Sequence, residues 1–426
     1  MSIAQPVHKR QYAAFISHAH ADKTVVDRID DWLSRIAGAS VWYDSRNLPP
    51  SATIGTHLPM AIEDSRSLIL ILSKDSVNSG WVQEEYNAGL GQRTKSKGYR
   101  IIPIRIDNCE IPGFLTTTKW IDAPNGQLSL DSACDLLLGL YFDDADYDPH
   151  FSRDIYVGRT WQDAESESSL ADFVCCELSR SGLRLIGDSK DQAGFRTGDR
   201  VKSIIESCGG LAAIFPHRGR GATSKYIIKE ADIASDAGLP MLLVAEEGVQ
   251  LPLSLERQAI RAQGNPTETD DSFVSNLRTL IADLKDEWVQ PRSPHYFFFA
   301  TGLDAERRRL NQIAVRLIER VTGMPCIIGD DIRTGQVQEE ITRKIVGAFA
   351  VLADISDENL NTCIEAGMAR ALARPLHLVA RGPRRRPPFM FRDQQVWFFE
   401  DDIEFLGTIH RIIYPYRRRV INLELH

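Results

Sequence analysis

The seven cysteines, Cys109, Cys134, Cys175, Cys176, Cys208, Cys326 and Cys363, contain no Cys-x-x-Cys pair and are odd in number. A structural zinc site and a disulfide framework are therefore not expected, and the scattered thiols read as small hydrophobes of a reducing, cytoplasmic protein. No apolar run approaches the ~20 residues that a membrane-spanning helix requires. The stretch Met1–Arg10 lacks the apolar centre of a secretory signal. Positive charge is not in excess either: 50 Lys and Arg stand against 58 Asp and Glu, a net charge of −8. General nucleic-acid binding, which needs a basic face, is not expected. Nor is residence in a membrane.

What is present is a chain of 426 residues with 43% hydrophobic and 25% charged residues, an ordinary globular balance. Short apolar runs alternate with amphipathic stretches, the pattern of α/β domains with parallel sheets. In the first segment this predicts strands at 12–16, 41–43, 67–72 and 101–106, and helices at 23–36, 54–64, 81–92 and 128–140. The acidic run Asp143–Asp148 reads as a linker.

The order then recurs. Val41-Trp-Tyr-Asp44, Leu183-Arg-Leu-Ile-Gly-Asp188 and Pro325-Cys-Ile-Ile-Gly-Asp330 each lead into a helix and then an apolar strand. In each copy an acidic residue occupies the following helix: Glu85, Glu230 and Glu365, at 12, 14 and 11 residues after Ser73, Pro216 and Asp354. We read three tandem flavodoxin-like, doubly wound parallel-sheet domains, 1–149, 150–290 and 291–426. The ligand crevice of such a sheet lies at the carboxyl ends of its strands.

Four motifs in the first segment carry a family resemblance. They are Phe15-Ile-Ser17-His18-Ala-His20-Ala-Asp22, Val41-Trp42-Tyr43-Asp44-Ser-Arg46, Ala61-Ile62-Glu-Asp-Ser65-Arg66 with the strand after it, and Ser79-Gly-Trp81-Val82-Gln-Glu-Glu85. In this order they resemble a Toll/interleukin-1 receptor (TIR) domain. The family divides into signalling adaptors and enzymes that cleave the nicotinamide–ribose bond of NAD. The resemblance implies an NAD nucleosidase, with NAD as substrate and Glu85 as catalytic carboxylate. An ADP-ribosyl cyclase variant would use the same site.

Nicotinamide leaves as a neutral base, so no general acid is needed. The oxocarbenium-like transition state calls for a carboxylate beneath the ribose. Glu84 is adjacent but about 100° away on a helix, so both cannot face one ribose. The resemblance also places Phe15, Ser17, His18, Trp42, Asp44, Arg46 and Trp81 at the substrate cleft. Each has a structural alternative: Trp81 as core, Asp44 as a turn or helix cap. His18, His20 and Asp22 have no second His or Asp cluster to complete a metal site, and no metal is expected.

The third segment resembles nucleoside 2-deoxyribosyltransferase-like domains through Asp354-Ile-Ser-Asp357 and Asn361-Thr362-Cys-Ile-Glu365-Ala-Gly367. That resemblance implies a nucleotide sensor, or N-glycosidase chemistry at Glu365. Asp354, Asn361 and Glu365, with Asp188 and Glu230 of the second segment, are the candidate sensor-ligand residues. The run His217-Arg-Gly-Arg-Gly221 with Lys225 reads either as a phosphate cradle or as a solvated loop. The whole implies an NAD-cleaving effector. Self-association of TIR domains would switch it on, through a module sensing a nucleotide second messenger or a phage-derived activator, in bacterial anti-phage defence. The alternatives are a non-enzymatic TIR scaffold and glycosidase chemistry in the third domain.

Overall fold

A computed structural model describes residues 10–43, 47, 54–77, 80–95, 98–141, 153–160, 165–187, 198–262, 271–289, 296–329, 337–356, 359–382, 388–417 and 419–420. Three separate sheets organise them. In the first, β1 (Ala14–Ser17) leads to α1 (Lys23–Asp31), which runs on through a π-helical turn at Trp32–Ile36. Then come β2 (Val41–Trp42), α2 (Ile54–Glu63), β3 (Ser67–Leu72), α3 (Lys74–Val77) and α4 (Gly80–Lys95). β4 (Arg100–Arg105), β5 (Ile121–Asp122) and α5 (Leu130–Tyr141) complete it. The strands are all parallel in the order β2-β1-β3-β4-β5, with Phe15 opposite both Trp42 and Leu68. β3 reads Ser-Leu-Ile-Leu-Ile-Leu and every residue of it is buried, as a central parallel strand covered on both faces must be.

The second sheet contains β6 (Arg153–Gly158), α6 (Glu165–Arg180), β7 (Leu183–Gly187), α7 (Gly198–Glu206), β8 (Gly210–Phe215), α8 (Lys225–Asp236), β9 (Met241–Glu246), α9 (Leu253–Glu256), β10 (Ala259–Ala262) and α10 (Asp271–Glu287). Its parallel order, β7-β6-β8-β9-β10, repeats the first. Two apolar layers cover its faces, one built on Val174, Leu178, Leu277 and Ile281, the other on Ile205, Ile227, Ala231 and Ala234.

The third sheet has β11 (Phe297–Ala300), α11 (Arg308–Thr322), β12 (Cys326–Ile328), α12 (Val337–Gly347), β13 (Ala350–Asp354), α13 (Leu360–Ala371), β14 (Leu376–Arg381), β15 (Val396–Phe399) and α14 (Asp402–Ile413). The order is again second-first-third-fourth-fifth. The three tandem doubly wound domains read from the sequence are thus present as three sheets of one topology. Like β5, the last strand was not among those read from the sequence. β16 (Arg419–Val420) pairs antiparallel with β7, Arg419 opposite Gly187, and extends the second sheet to six strands. A two-residue strand carries no readable periodicity.

By contacts the chain forms two compact units, 1–144 with 295–417, and 145–294 with 418–426. Inside the former, the first and third sheets share helical packing. α14 lies against the π-helical turn, where the Trp32 indole N–H donates to the Ile403 carbonyl at 3.2 Å. Arg411 donates to the Arg35 carbonyl at 2.7 Å, and Arg66 reaches the Tyr414 hydroxyl at 3.3 Å. Fully buried His410 bonds through Nδ1 to the Ala37 carbonyl at 2.7 Å, so that nitrogen carries the proton. Burial pushes the His410 pKa down to about 4. Gly407 sits where a Cβ would stand 2.8 Å from Ile36 Cγ2, which lets the two backbones approach.

Candidate active site

Helix α4 carries Glu85, and its seating decides where that carboxylate lies. Glu85, Gly89 and Gln92 are spaced by four and three residues and share one face. All three are buried, and Glu84 beside them is exposed. The helix therefore separates the two adjacent glutamates as its 100° step requires. Gly89 lies against the beginnings of β3 and β4: a Cβ there would stand 2.7 Å from Leu68 Cδ2 and 3.6 Å from Ile101 Cδ1. Gln92 lies further toward the amino ends of the strands. Its Oε1 accepts from Arg10 Nη2 at 2.9 Å, and Arg10 Nη1 holds the Ser65 carbonyl ahead of β3 at 2.8 Å. Arg10 is fully buried, with its guanidinium 5.1 Å from the centroid of the Tyr99 ring. The helix thus runs antiparallel to the strands. Glu85, one turn or ~6 Å before Gly89, lies toward their carboxyl edge. It is 3% exposed.

The same edge receives the ends of β1, β2 and β3. Ser17 closes β1 as a buried residue whose hydroxyl has no hydrogen-bond partner among the described residues. His18 follows it half-buried, its ring 5.3 Å from that of Tyr43 after β2. Tyr43 donates its hydroxyl to Asp27 at 2.7 Å, which lowers the Asp27 pKa. After β3, Ser73 donates to Asp22 Oδ2 at 2.6 Å, and Ser73 and Ser76 bond each other's backbone amides at 2.7 and 2.9 Å. Desolvation by burial raises the Asp22 pKa, with Asp75 and Asp107 pushing the same way. The Ser73–Asp22 bond also occupies a member of the His-x-His-x-Asp run. Among the described residues no group of three or more His, Cys, Asp or Glu side chains is placed to hold a metal ion.

Phe15 and Trp42 are buried against each other, ring centroids 5.1 Å apart, in the core layer that also holds Tyr86. Trp81 lies on α4 just before Glu85, but its side chain is outside the described residues, as are Asp44, Arg46 and Asp188. On the first sheet, then, the structure brings Ser17, His18 and Glu85 to one side.

The other two sheets repeat the position with different partners. Glu230 on α8 accepts the Tyr156 hydroxyl at 3.0 Å, and its Oε2 lies 2.7 Å from where a Cβ on Gly158 would stand. Glu365 on α13 is half-buried, with its Oε1 4.0 Å from the same point on Gly329, and desolvation raises its pKa to about 7. Asp354 at the end of β13 is paired with Arg307 and accepts from the backbone and hydroxyl of Ser356. Asn361 is exposed, and its amide is held by the Asn359 side chain, which caps α13. Sequence reasoning did not find Arg10 or Gln92. They sit 82 positions apart, and no local pattern announces their pairing.

Comparison with known proteins bears on the first sheet. Residues 14–138 match the TIR domain family. Over 106 residues, 24% of this chain, the sequence is 36% identical to the NAD(+) hydrolase PdTIR of Paracoccus denitrificans, covering 35% of that protein. Over 103 residues, again 24% of the chain, it is 29% identical to the NAD(+) hydrolase TcpC of Escherichia coli O6:H1, covering 33% of it. The chain thus spans about a third of the length of these curated relatives. Among solved structures, the TIR domain of the Toll-related receptor TRR-2 from Hydra magnipapillata aligns at 25% identity and a TM-score of 0.23, covering 26% of this chain and 83% of that one. The first of the three sheets, with Glu85 on the helix beneath its carboxyl edge, is a TIR domain.

Proposed function

We propose that the TIR domain hydrolyses NAD, breaking the bond between nicotinamide and the ribose C1′, with Glu85 as the catalytic carboxylate. One observation carries the reading. Glu85, within the family-matched segment, is held buried on a helix pinned at Gly89 and Gln92, at the edge where doubly wound sheets bind ligands. Two relatives of that segment bear the name NAD(+) hydrolase.

The electron pair of the C1′–N bond departs with nicotinamide, and the ribose gains oxocarbenium character. A carboxylate at the ring stabilises that charge. Because it is already desolvated and fixed, little reorganisation opposes it at the moment of reaction. Water then adds at C1′ and loses a proton, giving ADP-ribose. A cyclase variant would close the ring with an adenine nitrogen in place of water. Ser17 and His18 supply polar groups at the same edge, with Asp44, Arg46, Trp42 and Trp81 assigned to the cleft by the family resemblance.

The reading extends to regulation. TIR self-association would complete the cleft, and the second and third domains would sense a nucleotide or a phage-derived partner in a cytoplasmic defence response. None of the seven cysteines is in a disulfide. No helix among the described residues is long and apolar enough to cross a membrane. The test is NAD consumption by the purified chain, dilute and then concentrated by a crowding agent. Loss of NAD that rises more steeply than protein concentration supports both the activity and its dependence on assembly. NAD left intact under both conditions argues for a scaffold.

A second reading draws support from Glu365. Its raised pKa, to about 7, leaves both protonation states populated at neutral pH, which suits a carboxyl group in N-glycosidase or deoxyribosyltransferase chemistry. Nucleoside cleavage that Glu365→Ala stops and Glu85→Ala spares would establish it.

A further inference from the structure

Each sheet carries a glutamate at the same place, and the one on the third sheet is left without a partner. Glu230 of the second sheet accepts the Tyr156 hydroxyl. Glu365 is half-buried, and no hydrogen-bond donor or cation among the described residues answers its carboxylate; burial alone raises its pKa. Its Oε1 lies 4.0 Å from where a Cβ on Gly329 would stand, and Leu303 Cδ1 lies 3.9 Å from the same point. Leu303 follows β11, Gly329 follows β12 and Glu365 stands in the second turn of α13. Three elements thus converge at the carboxyl edge, beside the switch point between β11 and β13.

A second polar group there is also unmet. Thr362 precedes Glu365 by three residues on the same face of α13. It is 1% exposed, and its hydroxyl oxygen is buried with no hydrogen-bond partner among the described residues. A helical threonine can return its hydroxyl to a carbonyl one turn earlier, as Thr322 does to Ile318 at 2.7 Å. Thr362 does not. A desolvated carboxylate and a buried hydroxyl left open on one helix face are costly to the free protein, and a ligand that supplies their partners recovers that cost.

The groups already satisfied define that ligand. The amino end of α13 is closed, because Asn359 accepts from the amides of Asn361 and Thr362. Arg307 is paired with Asp354, and Arg381 with Asp402. Around Gly302 and Gly329, among the described residues, three carboxylates (Asp304, Asp354 and Glu365) stand with one guanidinium, that of Arg307. The balance favours a cation over an anion. Apolar side chains flank the cleft: Leu303, Leu360 and Ile364 are 45%, 77% and 51% exposed.

We propose that the carboxyl edge of the third sheet binds a small organic cation, an amine or amidine on an apolar body. Its N–H groups would meet the Glu365 carboxylate and the Thr362 hydroxyl, and its apolar part would lie on Leu303. The inference rests on the reading of the third domain as a sensor and gives that sensor a ligand class.

The test is calorimetric titration of the full-length chain with three probes of one shape and different charge: benzamidine, benzamide and benzoate. Adenosine and AMP are titrated beside them. Benzamidine should bind in about the millimolar range, as a ligand of its size allows. Benzamide should bind about tenfold more weakly and benzoate not at all. Glu365→Gln should remove the preference for benzamidine over benzamide, and Thr362→Val should weaken benzamidine about fivefold, the loss of one hydrogen bond. Both substitutions remove an unmet buried group, so neither should lower the melting temperature of the free protein, which separates loss of binding from loss of fold. Three results would overturn the proposal: benzamide or benzoate binding as tightly as benzamidine, benzamidine binding unchanged in Glu365→Gln, or no benzamidine binding by the native chain. Adenosine or AMP binding in place of benzamidine would keep the third domain a sensor and overturn only the cation. The readout is affinity and not NAD loss or nucleoside cleavage, so its failure is distinct from failure of either catalytic assignment.

Discussion

The carboxyl edges of the first and second sheets share a strand order and a glutamate position but are furnished in opposite ways. On the first, Ser73 and Asp22 bond each other, Asp75 and Asp107 add negative charge, and Glu85 is sunk to 3% exposure. On the second, Glu230 is only half-buried and held by Tyr156, and the adjoining loop is basic, left-handed and open at the helix end. An acidic edge with a buried carboxylate suits stabilisation of a developing cation. The second edge is basic where the first is acidic. A shared topology fixes where a ligand sits, and the loops decide which chemistry meets it.

Substituting the equivalent glutamates sharpens this comparison most. Glu85→Ala should lower the rate of nicotinamide release by about 10²–10³-fold, the usual cost of removing one preorganised electrostatic group. Glu230→Ala should leave that chemistry intact. Equal losses from both would break the distinction between the two edges.

The next effect concerns what anchors the first sheet. The His410 pKa lies near 4 when folded and near 6.5 when unfolded, so the unfolded chain binds the extra proton first as pH falls. His410 therefore contributes full stability above about pH 6.5, lost progressively between pH 6.5 and 4. The loss is on the order of 3 kcal/mol. His410→Asn, which keeps a donor for the Ala37 carbonyl but cannot titrate, should flatten the pH dependence of denaturant unfolding in that window. An unchanged slope would show that the buried imidazole does not govern it.

Glycine substitutions on the two sheets should differ as well. Gly89→Val drives a side chain into buried Leu68 and should cost about 1–3 kcal/mol by thermal or chemical unfolding. Gly158→Ala is crowded chiefly by the tip of Glu230, which can shift at the expense of its Tyr156 bond, so the stability cost should be smaller. A smaller effect still, about 1 kcal/mol, is expected for Gln92→Ala, which removes one neutral partner from Arg10. If that variant also slows NAD cleavage more than it destabilises the fold, the Arg10–Gln92 anchor positions Glu85.

Much of this was legible because it is local. Apolar runs such as Ser67–Leu72 announce buried strands, and the recurring glutamates Glu85, Glu230 and Glu365 mark three copies in the sequence itself. The helical step alone separated Glu85 from Glu84. Contacts across long separations were not legible. Arg10, read only as the end of a stretch without a signal-peptide core, is fully buried beneath α4. His410 sits 373 positions from the carbonyl it binds. The run at His217–Gly221 showed its charge and glycines in the sequence, but not that Arg220 adopts a left-handed φ or that Ser224 caps nothing. Backbone strain and unmet capping belong to the folded geometry.

The most direct test of the account is nicotinamide release from NAD by the assembled full-length chain, compared with Glu85→Gln, which keeps shape and removes only the charge. The account predicts release by the native chain and its near-complete loss in Glu85→Gln, with Glu365→Gln retaining native rates. Release that persists in Glu85→Gln, or vanishes only in Glu365→Gln, would contradict it.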